Sequence, residues 1–462
     1  MVTINSALYI GRDALMTQQL AISVTGQNIA NVNTPGYSRQ RVNLVSTAIP
    51  SAEGSVGTGV KANGIARIYD QFLNSQINRD IQQKGTWEAQ NQALQQTENI
   101  FTESSVDGLS QNMSKFWNAW QDLSANSSGH AERKALADQS QTMAANIQDT
   151  YHSLDQIQKD MNGRITGAVD EINSLATQIS NLNDNIAKME GSGQSANDFR
   201  DQRDLLLNQL SEKINFTSSE GSDGRVTVTL GDGNKLVGNP PFGKLSTAAN
   251  ASGHPDLVWD SAPTTPINSS VSAGNLKGWL DVRDSLVPGY KDSLDSLAQQ
   301  IIQGVNTLHA GGTGLDGSTG IDFFSGNSAS TIAVNSDILN NVNIIAAAGP
   351  VSSELVAGDN TQAIAISKLQ NTLTMNGNTD TYDTYYNSLV SSVGSDSRNA
   401  SVSLEHQTTV VDQMNNLRES VSGVSTDEEM VNLVQFQHGY SAAAKLIDTV
   451  SQMMDTVINM VR

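Results

Sequence analysis

The stretch LVQFQHGYSAAAKLIDTVSQMMDTVINMV, residues 433–461, decides how this chain is built. Leu433, Tyr440, Ile447, Met454 and Val461 recur at every seventh position, and Phe436, Ala443, Val450 and Val457 form a second row beside them. Apolar residues at that interval make a helix with one narrow seam, the pattern by which helices pair side by side. The opposite end of the chain repeats it, with Leu8, Leu15, Ile22 and Ile29 at the same interval. Each large apolar side chain left in water forgoes about 1.5–3 kcal/mol relative to burial, so a bare C-terminal seam is short of about 10–20 kcal/mol. The two terminal helices are expected to pair within one subunit. Two helices without a third layer make a thin core, so further burial against other copies is expected, and an assembly protein is favoured over an enzyme.

Working inwards, residues 4–30 read as the N-terminal helix, ended by Thr34-Pro35-Gly36, because proline disfavours helix in the residue before it and Pro-Gly suits a tight turn. Residues 37–70 read as extended and loop-like, with Gly54, Gly57, Gly59 and Gly64 interrupting any regular run. From Tyr69 to Leu210 the pattern is mostly helical. Ile165, Ile172, Ile179 and Ile186 form one row of a long stripe, and Leu154, Met161, Ala168, Leu175, Leu182 and Met189 the other, which predicts a long bundle helix. After Gly191-Ser192-Gly193, Asn197 is placed to cap a helix running towards Ile214.

The period then changes from heptad to alternation. Val226, Val228 and Leu230 alternate with threonines ahead of Gly231-Asp232-Gly233-Asn234, a hairpin signal. Six of the nine prolines lie between 240 and 288, which sets this part apart from the helical remainder. Helix resumes near Leu276 and, after a break at Pro288-Gly289, over Tyr290–Leu308; residues 311–360 are loop-rich, and helix returns from Thr361. Ser425-Thr426-Asp427-Glu428-Glu429 offers two overlapping capping boxes for the last helix, Ser425 with Glu428 and Thr426 with Glu429.

The fold class is therefore mainly α with an inserted β domain: paired terminal coiled-coil helices, a long helical bundle and one small outer β-rich domain. The expected boundaries are 1–68 for the N-terminal helix and linker, 69–216 and 273–420 for the two parts of the bundle, 217–272 for the β-rich domain, and 421–462 for the C-terminal helix.

Composition excludes several functions. A formal net charge of −20 opposes nucleic-acid binding, which needs a basic stripe. With no cysteine there are no disulfides or thiolate metal sites. The N-terminus lacks the basic and apolar regions of a cleavable signal. The best apolar run, Val342–Ala348, falls far short of the roughly 18 residues a membrane span requires, so no membrane insertion is expected. Charged residues make up only 16 % of the chain, and the uncharged polar surface desolvates cheaply, which suits helices packed among copies of themselves.

No catalytic constellation stands out, and no cofactor or metal is expected. The six histidines are scattered, without HxxxH or HExxH spacing, and read as surface or bundle-end residues. The glycine-rich Gly311–Ser318 lacks the lysine of a phosphate loop and reads as flexible, with Asp316 and Asp322 in no calcium-binding register. Asp201-Gln202-Arg203-Asp204 reads as ion pairing on a helix surface. Trp87, Trp117 and Trp120 read as core.

Three motifs carry a resemblance. Ala30-Asn31-Val32-Asn33-Thr34-Pro35-Gly36-Tyr37-Ser38-Arg39-Gln40 closely resembles the signature of bacterial flagellar axial proteins, in which Asn31, Thr34, Pro35, Gly36, Tyr37 and Arg39 would be the signature positions here. The Tyr37-Ser38-Arg39-Gln40 ending is more similar to the hook-associated protein 1 family than to hook proteins. Asn197–Asp204 resembles that family's Asn-x-Leu-x-Asp-Gln-Arg-Asp stretch, and Ser422–Glu429 with Asn432-Leu433 and Phe436-Gln437 resembles its C-terminal signature.

The resemblance implies a secreted structural subunit at the extracellular hook–filament junction, exported by the flagellar type III apparatus without a cleaved signal. It implies terminal helices that form an inner tube, disordered in the free subunit. The implied partners are copies of itself in a ring, the hook protein, the second junction protein on the filament side, and a cytoplasmic export chaperone on the C-terminal helix. The assembly interface would be Leu8, Leu15, Ile22, Ile29, Leu433, Phe436, Tyr440, Ala443, Ile447, Val450, Met454, Val457 and Val461, with the chaperone on Leu433, Phe436, Tyr440, Ile447 and Met454. Larger members carry an additional outer β domain after the stretch matching Asp322-Phe323-Phe324; the short interval here, Ser325 to Asn360, predicts only one. A rod or hook subunit remains an alternative, as does a secreted adhesin or enzyme with its chemistry in 217–272.

Overall fold

The computed structural model describes residues 4–51, 54–102, 108–238, 243–350 and 358–460. Val461 of the seam and Pro240-Pro241 lie outside them. In chain order come helix α1 (Ile4–Ala30), strands β1 (Gln40–Ser51) and β2 (Gly54–Arg67), and helices α2 (Gln71–Phe101), α3 (Leu109–Ala125), α4 (His130–Gly191) and α5 (Asn197–Lys213). Strands β3 (Phe216–Glu220), β4 (Val226–Leu230), β5 (Lys235–Val237), β6 (Leu245–Ala249) and β7 (Pro255–Trp259) precede α6 (Asn275–Asp281) and α7 (Val287–Gly311). Short strands β8 (Thr313–Gly314), β9 (Phe324–Ser325) and β10 (Ala333–Val334), helix α8 (Ser336–Asn340) and strand β11 (Ala346–Ala348) follow, then α9 (Thr361–Ser367), α10 (Tyr382–Ser422) and α11 (Thr426–Met460).

The axis of the body is α4, whose 62 residues reach about 90 Å at 1.5 Å per residue. Of its heptad rows, Ile165, Ile172, Ile179 and Ile186 are fully buried and Leu154, Met161, Ala168 and Leu175 buried, while Leu182 and Met189 at the far end are half-buried. Around it α2, α3, α6, α7, α9 and α10 complete one continuous core, with Phe116, Trp117, Trp120 and Phe323 in edge and tilted ring contacts at its centre.

The strands form an antiparallel three-stranded sheet, β3-β4-β5, and an antiparallel pair, β6-β7. The alternation read at 226–230 is real, with Val226, Val228 and Leu230 buried. These strands lie on α4 and share its core. Two asparagines on α4, almost three turns apart, fasten them as a neighbouring strand would. Asn183 donates to Val226 O at 2.7 Å and accepts from Val226 N at 3.0 Å, and Asn173 does the same for Leu245, at 2.8 and 3.0 Å. Fully buried Arg283 adds a bond to Pro255 O at 2.6 Å.

Several expectations are corrected. Residues 37–70 are not broken by glycine: β1 and β2 form a long antiparallel hairpin from Gln40↔Arg67 to Ser51↔Gly54. Its glycines are absorbed by irregularities between Val42 and Leu44 and between Thr47 and Ala48, where a bulge takes up the extra residue. Pro288 does not interrupt its helix, because a π-turn over Val282–Leu286 joins α6 to α7 and puts the proline in the first turn of α7, where a missing N–H costs nothing. Gly314 is not in a free loop; it pairs with Ala346, and Asp316 accepts from Ser318 N and Asn341 Nδ2. Among the described residues no group of three or more His, Asp or Glu side chains is disposed to hold a metal ion, and no helix is long and apolar enough to cross a membrane.

His309, in the last turn of α7, is not at the surface. It is 1 % exposed, its Nδ1 lies 2.6 Å from Ile321 O, and its Nε2 accepts from Ala346 N at 2.9 Å. Burial therefore pulls its pKa down to about 4, since protonation would desolvate a charge and destroy the Nε2 acceptor. Between that value and the ordinary 6.5 the unfolded chain binds a proton the folded chain does not, so stability falls as pH drops through this window. A loss of about 3 kcal/mol between pH 7 and pH 4 is expected from this group. Urea unfolding across that range checks it: His309→Gln lowers stability at pH 7 but flattens the slope.

Candidate functional site: where the terminal helices meet the body

Helices α1 and α11 are antiparallel partners. Gly11 faces Ile447, Gly439 faces Gln18, and Asn28 faces Glu429, three contacts of one register. The approach is close enough that a Cβ on Gly11 would lie 2.7 Å from Ile447 Cγ1. Of the seam residues, Ala443 and Val450 are buried; Leu8, Leu15, Ile22, Ile29, Leu433, Phe436, Ile447 and Met454 are half-buried; Tyr440 and Val457 are exposed. The pair has its own small core, Ala21, Val24 and Val42 with Leu20, Ala62, Ile65 and Phe436, distinct from the core of the body. Its outer faces remain apolar and open, with Met16 64 % and Val431 67 % exposed.

What joins this pair to the body is polar. Helix α1 ends in the turn Thr34-Pro35-Gly36-Tyr37, closed by Tyr37 N donating to Thr34 O at 3.2 Å. Gly36 has φ +79°, the conformation a type II turn requires at its third residue, and Pro35 supplies the φ of the second. Asn31 and Thr34 brace the turn, Asn31 Nδ2 donating to Gln27 O and Thr34 Oγ1 to Asn31 Oδ1.

Two linked clusters follow. In the first, buried Asn28 donates to Gln40 O and to Glu429 Oε2, both at 2.9 Å, while its Oδ1 accepts from Tyr37 Oη at 2.9 Å and Gln40 N at 3.0 Å. Arg39 donates to Glu429 Oε1 at 2.8 Å and to Glu428 Oε2 at 2.8 Å, and its backbone N donates to Ser422 O. In the second, Arg67 Nη1 reaches Asp201 Oδ1 at 2.9 Å and Asp204 Oδ2 at 2.7 Å, with its guanidinium 4.0 Å above the Tyr69 ring. Ser38 N donates to the other oxygen of Asp201, and Gln40 Nε2 to Asp198. The end of α1, both hairpin strands, α5 and the start of α11 are thereby each held by a charge-assisted bond.

The electrostatics follow from burial. Desolvation raises the Asp201 and Asp204 carboxyls despite Arg67, and the same removal from water raises the Tyr37 phenol, reinforced by Asp198 and Asp201. For Arg67, burial works against the charged form, but Asp204 and Asp201 outweigh it and the net direction is upward. Fully buried Arg203 is lowered by desolvation although Glu220 lies at 3.0 Å.

The 201–204 stretch is therefore not surface ion pairing. Its charged side chains turn inward, Asp201 and Asp204 to the hairpin and Arg203 to Glu220 and Gly224 O, because α5 lies between the hairpin and the β3-β4 sheet. Asn197 does not cap α5; its amide donates to Gln40 Oε1 and Ile65 O. At α11, Ser425 alone serves the first turn, accepting from Glu428 N at 3.5 Å, while Glu428 and Glu429 reach across to Arg39 instead of closing capping boxes. Asn28, Arg67 and Glu429 are site residues that the sequence does not single out. Asn28 and Arg67 carry no local sequence signal, and Glu429 was masked by its capping position.

The family model for the flagellar hook-associated protein FlgK helical domain matches residues 94–324, half of the chain. Models of the flagella basal body rod protein and of the flagellar basal body rod FlgEFG protein C-terminal match 8–37 and 418–460, the two terminal helices with their signatures. Flagellar hook-associated protein 1 of Bacillus subtilis is 31 % identical over 98 % of this chain and 97 % of its own. The chain belongs to the flagellar hook-associated protein 1 family. Its namesake from Escherichia coli is 26 % identical over 99 % of each chain. The structure of the flagellar hook junction protein FlgK from Burkholderia pseudomallei shares the fold, with a TM-score of 0.66 at 16 % identity, over 75 % of this chain and all of that one. The mainly helical architecture with small β elements is that of this family.

Removing one member of a buried ion cluster leaves the others charged and unpaired, at a cost of about 3–5 kcal/mol. Arg67→Leu is accordingly expected to lower the urea midpoint sharply, whereas Arg12→Ala, which breaks an exposed pair with Asp13, should change stability by less than about 1 kcal/mol. Glu429→Ala is expected to free the terminal helices ahead of the body. Limited proteolysis should then cut near residues 31–40 and 422–427 while leaving 69–420 intact.

Proposed function

We propose that this chain is a structural, non-catalytic subunit of the bacterial flagellum that forms the junction between hook and filament. The observation that carries the reading is the antiparallel α1–α11 pair: one seam closed by its own partner, the opposite faces apolar and uncovered, and the whole latched to the body by buried charge. Two helices sharing so small a core leave burial incomplete, and copies of the chain packed around an axis would complete it.

In this reading residues 1–68 and 421–462 line the inner tube, 69–216 with 273–420 form the helical bundle around it, and 217–272 form the outer β-rich part. The half-buried and exposed seam positions, from Leu8 to Ile29 and from Leu433 to Val461, are the assembly interface. The neighbours are other copies in a ring, the hook protein on one side and the second junction protein on the other. The subunit leaves the cell through the flagellar type III apparatus. Before export a cytoplasmic chaperone covers Leu433, Phe436, Tyr440, Ile447 and Met454, since the surface that assembles is the one that aggregates if left bare.

Deleting the gene tests the placement. Cells are expected to carry hooks without filaments in the electron microscope and to shed flagellin into the medium. Missing hooks would move the subunit to the rod or hook, and normal filaments would sink the axial reading.

A further inference from the structure

The charge of this chain is unevenly distributed. Residues 1–69 hold five basic and two acidic side chains, whereas the remainder holds 22 basic and 45 acidic. Two of the five, Arg41 and Lys61, stand exposed on the β1–β2 hairpin, and among the described residues neither has an ion-pair partner. Lys61 lies directly across from Val45, so the two share one face of the hairpin with Arg41, and Val45 is 46 % exposed. That face thus presents two cations and a bare aliphatic side chain together, on a two-stranded ribbon whose outer edges are unpaired.

The complementary surface is on α10. Glu405, Asp412 and Glu419 are spaced by seven, so they form one acidic line along the helix; all three are exposed, and none has an ion-pair partner among the described residues. Val402, one turn before Glu405 on the same side, is 57 % exposed.

Within one copy the two surfaces do not meet. The hairpin runs back along α1, where Gly59 stands against Ile10, whereas α10 runs the other way along α2, with Gln407 Nε2 bonded to Asp80 O. The base of the hairpin and the end of α10 coincide only at the junction, through Arg39 N and Ser422 O. Complementary charge and apolar surface on opposite sides of one hinge are satisfied when a second copy is displaced along the long axis.

We propose that the β1–β2 hairpin of one copy docks on the outer face of the C-terminal half of α10 in a neighbouring copy, with Arg41 and Lys61 over the Glu405–Asp412–Glu419 line and Val45 against Val402. This rests on the assembly role proposed above and names one contact within it. Charge complementarity sets the register, and the aliphatic pair adds burial.

The chain has no cysteine, so cross-linking is free of background. Cells would express together full-length Val45→Cys and one of Val402→Cys, Leu417→Cys or Val421→Cys, and isolated flagella would be treated with a short bismaleimide. Each product joining the two variants is intermolecular. The expected result is a heterologous 45–402 product in excess of 45–417 and 45–421, reduced about tenfold by Arg41→Glu with Lys61→Glu in the hairpin copy and restored by Glu405→Lys, Asp412→Lys and Glu419→Lys in the other, since like-charge juxtaposition costs several kcal/mol. Flagella that contain both variants yet give no such product, or only 45–45 product, overturn the docking and leave the junction role standing. Absence of the chain from flagella overturns both.

Discussion

The structure depends on Arg67, Asn28 and Glu429 being removed from water together. A buried carboxylate or guanidinium is tolerated only when its partners are in place, so this cluster forms completely or the junction opens. Because its members come from the end of α1, both hairpin strands, α5 and the start of α11, closing it fixes the position of both chain termini at once. Sequence separation makes this demanding: Asn28 and Glu429 are 401 residues apart, and Arg67 and Asp201 are 134. Apolar packing alone would join the elements but leave their angle soft; directional bonds to Gln40, Tyr37 and Ser422 set it.

The body behaves differently. Its core is continuous and apolar, and the polar contacts that matter are asparagines fastening strand edges to helices. Asn173 and Asn183 do so on α4, and Asn306 does so on α7, donating to Phe324 O and accepting from Phe323 N and Phe324 N. Each amide carries a donor and an acceptor side by side and so satisfies a strand residue as a neighbouring strand would. This is how small, two- and three-stranded sheets persist on a helical body without a partner sheet. The terminal pair, by contrast, has little core of its own and most of its apolar surface open. One molecule thus combines a body that completes itself with an appendage that does not.

The sequence by itself determined the terminal helices, the central helix and the point where the first of them stops. Heptad spacing located α1, α4 and α11, the burial of Ile165 to Ile186 follows that spacing, and Pro35-Gly36 marked where α1 stops, because periodicity and turn chemistry act within a few residues. The signature residues Tyr37, Arg39 and Asp201 were also legible as positions that matter, through resemblance. Only the tertiary structure decided what they do. Arg67 sits in a glycine-interrupted stretch and Asn28 in a helix, and neither carries a local mark of its partner. Asp201 and Arg203 looked like helix-surface charges because a helix pattern says which face a residue occupies, not what covers that face. The hairpin at 40–67, the π-turn before Pro288 and the burial of His309 belong to the same class: each is stabilised by contacts made from distant parts of the chain, which local propensity does not contain.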